Sequence, residues 1–80
     1  MATYLIEYDL RKQRNYDELY TALTNLGARR YLLSGWTLQH DNTTCELLCK
    51  HFMQFIDSDD RLLVSEIVRW ASYHAMSKLS

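Results

Sequence analysis

Asp9 closes the run Thr3-Tyr4-Leu5-Ile6-Glu7-Tyr8-Asp9-Leu10 and stands directly before the basic segment Arg11-Lys12-Gln13-Arg14. A carboxylate at the end of a strand is held rigidly, while the loop beyond it leaves room for a ligand. Two chemistries suit such a residue. It could bind a metal through its carboxylate oxygens, or it could accept backbone N–H groups and form the turn that follows. Glu7, two residues back on the same strand face, is either a second carboxylate or a polar residue at a seam between subunits. Burying Glu7 would require a partner, for which Arg30 is a candidate. Arg11, Lys12 and Arg14 would contact phosphates with a salt-dependent affinity, or they form a solvated loop. Arg29 and Arg30 carry the same two readings, with pairing to Glu7 or Glu66 as a third.

Other chemistry-bearing groups are weaker candidates. Cys45 and Cys49 sit one helical turn apart with His40 and His51 nearby. A zinc site needs a matching second pair of ligands, and His51 falls on a different helix face, so core thiols are the expectation. Two cysteines also make no disulfide framework. Ser34 lacks the Gly-x-Ser-x-Gly elbow and the paired His and Asp of a nucleophile, which leaves a hairpin hydroxyl. Trp36 and the tyrosines could stack on bases, yet packing is the stronger reading. Asp57-Ser58-Asp59-Asp60 has oxygens enough for calcium but no EF-hand glycine or distal Glu, so a solvated turn between helix and strand is expected.

The elements that must position these residues follow from periodicity. Tyr4, Ile6 and Tyr8 alternate with Thr3, Leu5 and Glu7, the period of a strand. Asn15 with Glu18 resembles a capping pair, and Tyr16, Leu19, Tyr20, Leu23 and Leu26 form one helical stripe. Gly27 supplies the C-terminal stop. Arg30-Tyr31-Leu32-Leu33 and Trp36-Thr37-Leu38-Gln39 flank Ser34-Gly35, suited to a tight hairpin or a bulge, with one long kinked strand as the competing reading. Thr43 with Glu46 predicts a second capping box, followed by the stripe Cys45, Leu48, Cys49, Phe52 and Ile56. Arg61 to Val68 reads as the last strand, and residues 69–80 as a tail forming a short helix or an arm that packs on a partner. The order βαββαβ, with right-handed crossovers, predicts an α+β ferredoxin-like sandwich: a four-stranded antiparallel sheet with both helices on one face. The first and third strands are then central, and a second copy of the chain is expected to cover the bare sheet face.

The chain has 80 residues, 48% of them hydrophobic, with two Gly and no Pro, which predicts one domain spanning 1–80 and almost entirely regular structure. A domain of this size buries only about 60% of its unfolded surface, and dimerisation is a common remedy. The net charge of −1 makes no global case for nucleic-acid binding. No apolar run approaches the roughly 20 residues of a membrane span, and no signal peptide is visible. The expectation is a cytoplasmic protein with no membrane partner.

Tyr8-Asp9-Leu10 after a hydrophobic strand, the basic segment, and Arg30-x-x-x-Ser34-x-Trp36 together resemble the CRISPR-associated Cas-two family. Its members carry a Tyr-Asp-Ile/Leu strand end and a later Arg-Val-Gln-x-Ser-Val-Phe stretch. The chain is more closely similar to small Cas-two-like proteins labelled SinR-like. That similarity lies in Asn15-Tyr16-x-x-Leu19, Leu32-x-Ser34-x-Trp36 and Ile56-Asp57-Ser58-x-Asp60-x-Leu62-Leu63-Val64, and covers roughly residues 3 to 68. Leu32, Gly35 and Trp36 stand where the Cas-two pattern has Gln, Val and Phe. The resemblance implies a ferredoxin-like homodimer and a magnesium (Mg2+)-dependent endonuclease acting on RNA or DNA. Asp9 would be its catalytic residue and metal ligand, facing the same residue of the second subunit. Read beside such a site, Arg11, Lys12, Arg14 and Arg30 would be the nucleic-acid contacts, with Tyr8, Ser34 and Trp36 supporting the hairpin and site. A non-catalytic module of the same fold, binding a protein, a nucleic acid or a larger protein complex, is the alternative.

Overall fold

The computed structural model describes residues 1–11 and 16–76. Their order is β1 (Ala2–Asp9), α1 (Asp17–Asn25), β2 (Arg29–Leu32), β3 (Gly35–His40), α2 (Cys45–Phe52), a single 3-10 turn (Met53–Phe55) and β4 (Arg61–Ile67). The strands form one antiparallel sheet in the order β2-β3-β1-β4, so β1 and β3 are central. This is the ferredoxin-like α+β arrangement that the element order predicts.

Alternation along β1 sends Tyr4, Ile6 and Tyr8 into the layer shared with the helices. There they meet Tyr16, Leu19 and Leu23 of the first helical segment, Trp36 and Leu38 of β3, and Leu48 and Phe52 of α2. The predicted stripe of α1 is therefore the buried one, with Tyr20 and Leu26 only partly covered. Gly27 follows α1 with φ +84°, a conformation an L side chain rarely adopts, as its role at the helix end requires. Asn15 of the expected capping pair lies outside the described residues. The second capping box is displaced by one residue. Thr44 caps α2 by accepting from the Leu47 N–H at 3.1 Å, while the Thr43 carbonyl accepts from the Tyr4 hydroxyl at 3.1 Å.

The β2–β3 hairpin turns on Leu33-Ser34, one residue earlier than the Ser34-Gly35 dipeptide expected. Gly35 is instead paired within the sheet, opposite Leu32 on one side and Glu7 on the other. A Cβ at Gly35 would lie 2.9 Å from the Tyr31 ring, so the glycine leaves room for that ring. The register jumps between Arg30, opposite Trp36, and Leu32, opposite Gly35, which leaves Tyr31 as the extra residue of a bulge.

The open sheet face carries Thr3, Leu5 and Glu7 of β1. Tyr31 and Leu32 join them because the bulge turns both residues to this side. Residues 69–76 form neither helix nor strand. They lie against their own sheet: Trp70, Ala71, Ser72, Tyr73 and Ala75 face Leu5, Tyr31 and Leu32, and the Met76 N–H donates to the Tyr31 carbonyl at 2.7 Å. Among the described residues, no helix is long and apolar enough to cross a membrane.

Tyr31 is only 7% exposed, and its phenol is raised above the ordinary 10.0, first by burial and then by the charge of Glu7. The folded chain thus holds this proton more tightly than the unfolded chain does. Its contribution to stability is complete below the ordinary value and is lost as pH rises through the folded one. Phenolate absorbance should show Tyr31 titrating late in the native protein and at its ordinary value in a Tyr31-only variant unfolded in urea.

A candidate site at the end of the first strand

Asp9 belongs to the open-face set of β1, and the register places it opposite Arg61. Their side chains meet at 3.6 Å, with Asp9 61% and Arg61 70% exposed. Among the described residues the Asp9 carboxylate meets only Arg61. An ion pair this exposed contributes about 0–1 kcal/mol, since water screens it and two side chains must be ordered. Glu7, Tyr8, Asp9, Arg61, Leu62 and Leu63 line a shallow hollow of about 270 Å³. Arg61 is a member of this site that sequence reasoning missed. The signal was available only through the antiparallel pairing of β1 with β4, which no local motif announces.

Among the described residues, the backbone N–H that directly follows β1 and Leu10 is taken by Asp60. Its carboxylate accepts the Arg11 N–H at 2.7 Å, the Asp57 N–H at 2.8 Å and the Tyr16 hydroxyl at 3.0 and 3.1 Å. The stretch Asp57–Asp60 is therefore more than the solvated turn expected. One of its acids ties the end of β1 and the start of α1 to the start of β4. That linkage sets where Arg11 leaves the sheet, although the Arg11 side chain is exposed. Lys12 and Arg14 lie outside the described residues.

Arg30 lies on the helix-facing side, opposite Trp36, whereas Glu7 lies on the open face. The proposed Arg30–Glu7 partnership therefore does not form. Instead the Arg30 guanidinium donates to the Tyr8 hydroxyl at 3.1 Å and lies 5.0 Å from the Tyr20 ring centre and 5.1 Å from that of Trp36. The bond to Tyr8 is the main reason its pKa is raised, against the opposing effect of burial. Trp36 Nε1–H donates to the same Tyr8 oxygen at 2.9 Å, and the Tyr8 N–H donates to the Ser34 carbonyl at 3.1 Å. Arg30, Ser34 and Trp36, scattered in sequence, thus converge on Tyr8. Together they clamp the hairpin to the strand end that carries Asp9. With Arg30 engaged in this way, a phosphate contact by its side chain would compete with two aromatic faces and a hydroxyl.

Cys45 and Cys49 are half-buried free thiols on α2. His40 Nδ1 lies 2.6 Å from the Asp41 carbonyl, and His51 sets its ring edge-on to Phe52 and Phe55. No cluster of three or more His, Cys, Asp or Glu suited to a metal occurs among the described residues. No protein-family model matches the chain, and no solved structure matches it.

Proposed function

We propose that the chain acts as a Cas-two-like homodimer that hydrolyses phosphodiester bonds in RNA or DNA, with Asp9 as the catalytic carboxylate and magnesium as cofactor. The observation that carries this reading is the exposure of Asp9 at the end of a central strand, with the neighbouring Arg11 N–H held by Asp60. A magnesium ion requires near-octahedral oxygen coordination, part of it from water. One chain offers Asp9 and, on the same face, Glu7, so a complete site needs the Asp9 carboxylates of two copies, with water and phosphate oxygens filling the rest. Such an ion would supply Lewis acidity and an activated water. In this reading Asp9 orients the site, Arg61 offers its guanidinium to the phosphate, and the clamp on Tyr8 keeps the strand end from shifting.

The test is cleavage of RNA and DNA by the intact chain, with and without magnesium, for wild type and Asp9→Ala. Activity should require magnesium and fall at least about 10²-fold in the variant, the scale on which losing a group that stabilises transition-state charge is felt. Melting should hardly change, because the Asp9–Arg61 pair is exposed. Equal cleavage by both proteins, or none by the wild type, removes the enzymatic reading.

The second reading, a non-catalytic binding module of the same fold, is favoured by the Arg61 cation lying 3.6 Å from Asp9, where it competes with any metal ion. In that case nucleic-acid affinity should fall with salt and vanish when Arg11, Lys12 and Arg14 are changed to Ala.

A further inference from the structure

Face-to-face dimerisation, on which the proposed function rests, requires the surface that residues 70–76 now cover. We infer that this tail is a displaceable strap that competes with a second copy of the chain for the open sheet face, so that its release switches on assembly. The inference rests on the dimeric reading given above and adds its regulation.

Three observations support it. Among the described residues the strap is joined to the sheet by the chain where β4 ends at Ile67 and by one backbone hydrogen bond, from the Met76 N–H to the Tyr31 carbonyl. Val68, where the chain leaves the sheet, is 92% exposed and marks a hinge with little to hold it. Its fit to the sheet is also loose. Tyr73 is 84% exposed, and Tyr73 and Trp70 border a cavity of about 300 Å³ between tail and sheet. Segments with few buried apolar contacts and irregular backbone open at low cost relative to the core.

What lies beneath is shaped for burial rather than for water. Thr3 and Thr37 on this face are buried with the tail in place, and the Tyr31 ring lies over Gly35. Leu5 and Leu32 extend the apolar patch, and Leu63, 58% exposed, continues it toward Asp9 outside the strap. A second copy is the fitting occupant because the same face carries the Asp9 side chains that must meet across the two-fold axis. Meeting face to face, two such sheets would also exchange like apolar surface.

The test uses the full chain as wild type, Met76→Pro, which deletes the N–H donor, and Trp70→Ser, which removes apolar strap surface by an independent route. Tryptic cleavage after Arg69 reads strap opening, and sedimentation equilibrium reads self-association. Both variants should be cut several-fold faster and should dimerise about tenfold more tightly than wild type. Faster cleavage with an unchanged or weaker dimer overturns the competition while leaving the dimeric reading intact. Monomers in all three proteins up to the solubility limit overturn both. Unchanged cleavage in both variants overturns the strap itself, whatever the state of assembly.

Discussion

Replacing Asp60 by alanine is expected to destabilise the fold by about 2–4 kcal/mol, the scale of losing several hydrogen bonds to a charged acceptor of which some donors stay buried. The Arg11 N–H, exposed in the native chain, finds water when the carboxylate goes. The Asp57 N–H and the Tyr16 hydroxyl are partly buried and do not recover so easily. Urea unfolding should show a lower midpoint with an unchanged slope, since the surface exposed on unfolding stays the same. Asp60→Asn keeps the shape and one acceptor oxygen and should lie between wild type and alanine. A loss below about 0.5 kcal/mol in Asp60→Ala, ordinary for a surface substitution, would show that the turn does not depend on this carboxylate. The functional consequence is local. Asp60 fixes the exit of Arg11 and adjoins Arg61, so nucleic-acid affinity should fall in the folded fraction as well.

Phe52→Ala should have the largest effect on the fold. Phe52 is fully buried where α2 meets the sheet, and deleting an aromatic ring from such a site costs about 3–5 kcal/mol. At about 0.05–0.15 kcal/mol per residue, an 80-residue domain has only about 4–12 kcal/mol in total. The variant should therefore be largely unfolded or melt near ambient temperature, as followed by far-ultraviolet circular dichroism. Leu63→Ala, on the exposed part of the open face, is the matched control and should melt far closer to wild type than Phe52→Ala.

The parts of the fold legible in the sequence are those governed by local periodicity. The alternation of Tyr4, Ile6 and Tyr8, the stripe through Leu19 and Leu23, and Gly27 at the helix end each depend on neighbours within a few residues, and the structure agrees with all three. Features that depend on distant partners were harder to read. Thr44 rather than Thr43 is the cap, and the Thr43 carbonyl is instead tied to Tyr4, far away in sequence. The sequence offers Arg30 a phosphate, Glu7 or Glu66 as partner, yet pairing opposite Trp36 keeps it on the other face from Glu7, against Tyr8. Asp60 reaches the Arg11 N–H because β4 begins where β1 ends. For the candidate site, the position and exposure of Asp9 followed from its place in the strand, whereas Arg61 came into view only through strand pairing.

The extra residue in β2 has one more consequence. It shifts the phase of the strand midway, so that Arg30 serves the helix layer while Tyr31 and Leu32 both serve the opposite side. Deleting one residue between Arg30 and Leu32 would restore strict alternation and leave only one side chain beside Gly35. By contrast, lengthening the Leu33-Ser34 turn would leave that phase untouched. Changes of length in this hairpin therefore fall into two classes only a few residues apart: one rewrites which layer each side chain belongs to, and the other merely extends a loop.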